Sequence, residues 1–345
     1  MTRSMKTSTA LLISLLAIGF IAPLTGLYAQ FLMKCVALAL FAVAFNFFTG
    51  NVGLLSIGHA AFFGIGAYVA GYVTKEWAVT PELALVVSLL AGLALGLVMG
   101  GMAIRRQGIY FAMITLALAQ MVYFFCVQAP FTGAEDGLQR IPRRALFGII
   151  HLTDDRAMYV FVLVVMVVAV WAFQRLMEAP FGQVLLAIRD NEPRAISLGY
   201  DVQAYKLSAF AMSAAIAGLA GGMKALTLGF AGLPDAHWTQ SGSVILMCLL
   251  GGLGTPLGPI IGAILVVTLE SRLSSLGVFQ IGSLSVDLST KVPIIIGLIF
   301  MVCVLLFRRG IVGEIAAVFE AVRAKRKEPS KTDNAAKRVD IVAAD

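Results

Sequence analysis

The sequence predicts an all-α, polytopic integral membrane protein of about ten transmembrane helices, several of them broken or rich in glycine. Three observations carry that prediction. Hydrophobic residues make up 59% of the 345 positions and charged residues 13%, with a mean hydropathy of +0.91; soluble domains carry about 25% charged residues. Apolar runs recur along the chain, many near the ~20 residues needed to cross ~30 Å of hydrocarbon. The net charge of +7 gathers at run ends and in the C-terminal tail, as the positive-inside rule expects, so it is not a nucleic-acid signal. The ten-residue alternations of a β-barrel are missing.

The first apolar run is Thr9–Gln30, broken by Pro23 and Gly26. It reads as a retained span rather than a cleaved signal peptide, because the apolar part is long and the small-residue cleavage pattern is poor. Phe31–Phe48 is the second span, and Thr49, Gly50 and Asn51 form a turn. The third, Val52–Val73, is interrupted by Gly53, Ser56, Gly58, His59, Gly64, Gly66 and Gly71. Glycine at that density permits close backbone approach or a broken helix. Leu83–Ala103 is the fourth span, again glycine-rich, ending on Arg105 and Arg106; Gly108–Gln128 is the fifth. A polar loop, Ala129–Arg156, precedes the sixth, Met158–Gln174.

The stretch that follows, within residues 178–206, is mixed in charge. Phe181, Val184, Leu185 and Ile188 fall at i, i+3, i+4 and i+7, which makes one apolar helical face. Pro193 opens a second short helix and Gly199 closes it. This is a helix pair outside the bilayer, either lying on the membrane surface or gripped by a soluble partner; the charges Arg189, Asp190, Glu192 and Arg194 favour the partner. Leu207–Phe230, Trp238–Gly252 and Leu257–Leu269 are the next three spans. Between the last two, Gly251, Gly252, Gly254, Gly258, Pro256 and Pro259 prevent one straight helix. Ser271–Lys291 is polar, Val292–Phe307 is the final span, and residues 324–345 form a basic tail expected to be disordered. The membrane-spanning body is then 1–323. If the helix pair and the tail share the cytoplasmic side, the crossings between them are even in number, and the N-terminus is cytoplasmic too.

Catalysis has little to stand on. No GxxxxGK[ST] phosphate loop is present, so the chain does not bind ATP by that route. Neither catalytic nor metal-ligand spacing occurs among His, Cys, Asp and Glu, and Cys35, Cys126, Cys248 and Cys303 read as small buried hydrophobes. No resident cofactor or metal is expected. Charges in the spans are few: Lys34, Lys224 and Glu270. An ion-coupled carrier usually keeps buried acids as relays, so their scarcity points to energy supplied from elsewhere. Ser56, Gly58, His59, Gly251, Gly252 and Gly254 are candidates for a solute path, with a buried, hydrogen-bonded histidine and a plain turn as the competing readings.

Five stretches then carry a resemblance: NVGLLSIGHAAFFGIGAYVAG (51–71), GIYFAMITLAL (108–118), TGAEDGL (132–138), PFGQVLLAIRDNEPRAISLGYDVQAYKLSAFAMSAAIAGLAG (180–221) and LGGLGTPLGPIIGA (250–263). In this order they resemble the inner-membrane permeases of branched-chain amino acid (Liv-type, LivM-like) ABC transporters. The resemblance implies half of an import pore, with a second related permease, two cytoplasmic ABC ATPases that consume the ATP, a periplasmic solute-binding protein, and the inner membrane as location. It makes 178–206 a coupling loop, with Phe181, Gly182, Leu185, Ala187, Ile188, Arg189, Glu192 and Gly199 as ATPase-docking residues and the apolar face seated in an ATPase groove. Related permeases carry urea, short amides or aromatic acids, so these are alternative cargoes; an ion-coupled secondary carrier is the alternative class. The family often has two glycines where this chain has Gly133-Ala134.

Overall fold

The computed structural model describes residues 19, 28–146, 148, 150–275, 278–281, 284–306 and 310–314. Most of the expected first span and all of the basic tail therefore lie outside the described residues. Six described helices are long and apolar enough to cross a membrane: Ala29–Val52, Pro81–Ala103, Ile109–Gln128, Asp155–Glu178, Val202–Leu228 and Gly258–Ser275. In chain order, α1 is Ala29–Val52, α2 His59–Glu76, α3 Pro81–Ala103, α4 Ile109–Gln128 and α5 Asp155–Glu178. Two short helices follow, α6 Pro180–Asp190 and α7 Glu192–Ser197, then the long α8 Val202–Leu228. A one-turn α9, Leu233–Ala236, leads to α10 Trp238–Gly251, α11 Gly258–Ser275 and α12 Leu288–Leu306.

The helix boundaries correct the sequence reading at three points. α1 does not stop at Phe48. Asn51 Nδ2 donates to the Phe47 carbonyl at 2.8 Å, and the helix runs on until Gly53 takes φ +79° and its N–H bonds Thr49 O at 3.1 Å. That left-handed cap suits a residue without Cβ. The turn expected at 49–51 thus falls at 53–58, and α2 starts at His59 rather than Val52. α8 begins five residues early, at Val202, because Asp201 caps it by accepting from Ala204 N at 3.1 Å. The polar stretch after Ser275 carries an antiparallel pair, Val278–Ile281 with Leu284–Asp287.

α8 is the centre of the bundle. It packs against α3, α2 and α1, and its Ala- and Gly-rich sequence is what lets three helices come so near. A Cβ on Gly66 of α2 would stand 2.5 Å from the Gly218 Cα, and one on Gly218 would stand 2.7 Å from Ser88 O of α3. Between helices in lipid, dispersion at such approaches replaces the hydrophobic drive that water would supply. α3 and α4 turn Val86, Leu90, Leu97, Met113, Met121 and Phe124 outward, exposed as side chains facing hydrocarbon would be. At one end of the bundle, Leu138–Gln139 pairs with Phe230–Ala231, closing the long polar loop onto the end of α8. At the other end lie the C-terminus of α1, the start of α8 and the α6–α7 pair.

Candidate functional site

The α6–α7 pair forms because Pro180 stands at the first position of α6, where its missing N–H is not needed. α5 ends just before it. The elbow is so tight that a Cβ on Gly182 would sit 2.5 Å from the Met177 Cα. α7 is capped by Asn191, whose side chain accepts from Arg194 N at 3.0 Å, and Gly199 at φ +86° follows its end, as the sequence predicts.

The apolar face is where the sequence puts it, but it does not look outward. Leu185 is 0% exposed and Ile188 2%. Ile188 packs with Ala195 and Val202, and the Phe181 ring stacks on Tyr205 with centroids 5.6 Å apart. This corrects the expectation that the face seats in a partner's groove. The ends of α1 and α8 are nearer apolar surfaces, and the face buries there. What the pair offers to solvent includes Gln183, Ala187, Arg189, Asp190, Arg194 and an apolar tip of Ile196, Leu198 and Tyr200.

Two of the charges also tie the pair to the spans. Glu192 Oε1 meets Lys206 Nζ at 2.7 Å, and its Oε2 accepts from Gln107 Nε2 at 3.0 Å. Lys206, on α8, has a side chain only 5% exposed, so Glu192 is its compensating charge. Arg189 donates to Gly50 O of α1 at 2.7 Å, and its stem lies against Gly53. A cation at a helix C-terminus meets both the unpaired carbonyls and the negative end of the dipole. The pair is thereby fastened to α1, α8 and the α3–α4 connection.

The solute-path candidates divide into two places, packed except at Gly254, which is exposed. Ser56 and Gly58 form the entry to α2 inside the bundle: Ser56 Oγ accepts from Gly58 N at 3.3 Å, and Ser241 Oγ accepts from Ala60 N at 2.8 Å. His59 is fully buried. Its Nε2 lies 3.0 Å from Ser213 Oγ, which donates to Ala44 O at 2.5 Å. Phe45, Phe62 and Phe210 surround the ring edge-on at 5.1–5.7 Å. Gly251, Gly252 and Gly254 make the turn between α10 and α11 at the α6–α7 end. A Cβ on Gly251 would strike the backbone of Gly258. An apolar cleft of about 600 Å³ opens elsewhere, between α1, α5 and α11, against Phe31, Cys35, Tyr159, Leu163, Ile260 and Ile264; none of the six candidates lines it.

Sequence reasoning missed the ion pairs. Lys224, one of the few charges expected within a span, meets Asp235 of α9 at 2.6 Å with both side chains 11% exposed, and lies 5.0 Å from the Phe230 ring centre. Lys34 and Glu270 approach to 3.5 Å across α1 and α11. Among the described residues no His, Cys, Asp and Glu cluster could hold a metal. Ala134 takes φ +49°, a left-handed conformation that costs a Cβ-bearing residue about 1–2 kcal/mol. Ala134→Gly is expected to raise thermal stability slightly, by about 0.5–1 kcal/mol after the unfolded-state entropy of glycine is counted; a lowered melting temperature would contradict it.

Comparison with known proteins follows the same line. The chain matches the family model described as branched-chain amino acid transport system, permease component, over residues 27–308. The high-affinity branched-chain amino acid transport system permease protein LivM of Escherichia coli K12 is 29% identical over 245 residues, 64% of this chain and 58% of that protein. Its counterpart in Salmonella typhimurium is 28% identical over the same shares. The xylose transport system permease protein XylH of Haemophilus influenzae is 31% identical over 39% of this chain and 37% of its own. These matches span less than two thirds of the relatives' own lengths. No solved structure matches the chain.

Proposed function

The chain belongs to the branched-chain amino acid transport permease family, and on that premise we propose that it is one permease half of an ATP-driven importer for branched-chain or related amino acids. Separate ATPase subunits would supply the energy and a solute-binding protein would deliver the cargo. The observation that carries this reading is the α6–α7 pair: a short, charged element outside the spans, braced through Arg189 to α1 and through Glu192 to α8. Such a brace turns a push on the pair into a push on the spans. The docking face we propose is Ala187, Asp190 and Arg194 with the Ile196, Leu198 and Tyr200 tip, since Leu185 and Ile188 are already covered. The α6–α7 end would be cytoplasmic, in the inner membrane, with both termini on that side.

Ser56, Gly58 and His59 we assign to shaping the buried start of α2 rather than to holding solute. An ion-coupled carrier is less well supported, because Glu270 and Asp235 are each neutralised by a lysine. Cargo identity rests on family kinship, and the xylose permease among the similar proteins makes other small solutes the natural competitors.

The experiment is co-expression with a related permease and candidate P-loop ATPases, followed by affinity purification and, with a solute-binding protein added, uptake of radiolabelled leucine into vesicles with and without ATP. Co-purification and ATP-dependent uptake are expected, with urea and xylose competing weakly. Uptake driven by a proton or sodium gradient with no ATPase present would overturn the reading.

A further inference from the structure

The turn between α10 and α11 has backbone groups that no helix can satisfy. Gly252, at φ +113°, and Gly254, at φ +78°, bend the chain, and Pro256 keeps α11 from reaching back over it. Thr255 closes part of the turn on itself: its Oγ donates to Gly252 O at 2.8 Å and accepts from Gly258 N at 3.1 Å. The remaining N–H of Gly254 and C=O of Thr255 are both taken by one side chain, Asn46 of α1. Asn46 Oδ1 accepts from Gly254 N at 2.9 Å, and its Nδ2 donates to Thr255 O at 3.1 Å. Asn46 is 8% exposed and holds the turn from its buried side, while Gly254 faces outward.

One helical turn further along α1 stands Gly50, on the same face as Asn46. A Cβ there would lie 3.0 Å from the Gly254 Cα, so the turn rests directly on α1 at this point. Gly50 also offers its carbonyl to Arg189 of α6. Residues 46–50 of α1 are therefore held from both sides, by the α6 arginine at one position and by the α10–α11 turn at the other.

We propose that Asn46 is a positioning residue that transmits movement of the α6–α7 pair, through the last turns of α1, to the turn at 252–257. A glycine turn has several backbone conformations within reach; Asn46 selects one, and Arg189 fixes where Asn46 stands. The inference rests on the reading of α6–α7 as the element a partner pushes, but its test needs no partner.

Hydrogen–deuterium exchange is measured on the full chain in detergent, on peptides spanning 250–258. Arg189→Gln removes the contact to Gly50 O and is expected to speed exchange in 252–258 roughly fivefold, the opening that loss of about one hydrogen bond allows. In an Asn46→Leu background exchange is fast already, and Arg189→Gln adds nothing. Asn46→Asp keeps the acceptor for Gly254 N–H and loses the donor to Thr255 O, so it falls between. Unchanged exchange in 252–258 after Arg189→Gln overturns the proposal. So does an equal increase with and without Asn46, because the path then bypasses the amide. Should Arg189→Gln destabilise the whole chain, Arg189→Lys is read in the same peptides against the same two backgrounds. A chain that shows this transfer but never binds an ATPase would refute the importer reading and leave the relay standing.

Discussion

Replacing Glu192 with Lys is expected to abolish ATP-driven uptake while leaving the protein in the membrane. The substitution removes the one carboxylate that meets Lys206 at 2.7 Å and puts a second ammonium beside a side chain 5% exposed. Removing one partner of a buried pair costs about 3–5 kcal/mol. Glu192 keeps 26% of its side chain in solvent, which places the effect near the lower end. About 3 kcal/mol is more than a hundredfold in the population of the docked helix pair. The penalty falls on α7 and the start of α8, not on the apolar contacts between spans, so insertion survives. Membrane fractionation, uptake and protease sensitivity around 190–200 check the three parts. The double exchange Glu192→Lys with Lys206→Glu is expected to recover part of the uptake. Normal uptake by the single variant would remove the brace from the mechanism.

Gly66→Leu is expected to prevent folding altogether. The glycine lies where α2 crosses α8, and a Cβ there would be 2.5 Å from the Gly218 Cα. Ordinary overpacking costs about 1–3 kcal/mol because side chains can move aside. Here the obstacle is backbone on a helix already pressed against α3 on its other face, since a Cβ on Gly92 would stand 3.1 Å from the Gly218 Cα. The strain cannot pass down the line. Loss of the monodisperse peak on size-exclusion chromatography is the readout. Gly101→Leu serves as control, because nothing lies within 4 Å of the place its Cβ would take; a similar loss there would mean that the effect is generic to glycine.

What was legible in the sequence was whatever depends on neighbours along the chain. The spans appear as apolar runs, the α6 face as a 3.6-residue period, and the end of α7 as Gly199. The glycines of α2, α3 and α8 announce close packing, though not with whom. What was hidden depends on pairs distant in sequence. Nothing local tells that Lys206 answers Glu192, that Lys224 answers Asp235, or that Asn46 completes a turn more than two hundred residues away. The direction of the α6 face was hidden for the same reason: a period tells that a face is apolar, not whose surface covers it. The start of α2 was misjudged because Val52, Leu54 and Leu55 extend the apolar run, whereas Gly53 in the left-handed conformation breaks the helix.

That late start has a consequence for how the protein is made. α2 carries Lys75 and Glu76 at one end and His59 at the other, and is not among the helices apolar enough to cross on their own. A segment that polar leaves the translocon reluctantly. Its main companion, α8, emerges from the ribosome only after α3, α4 and α5 have been threaded. Until then α2 is covered by α3 and α4 and by ring contacts with α1, and the nascent chain passes through a stage in which its future central helix is missing.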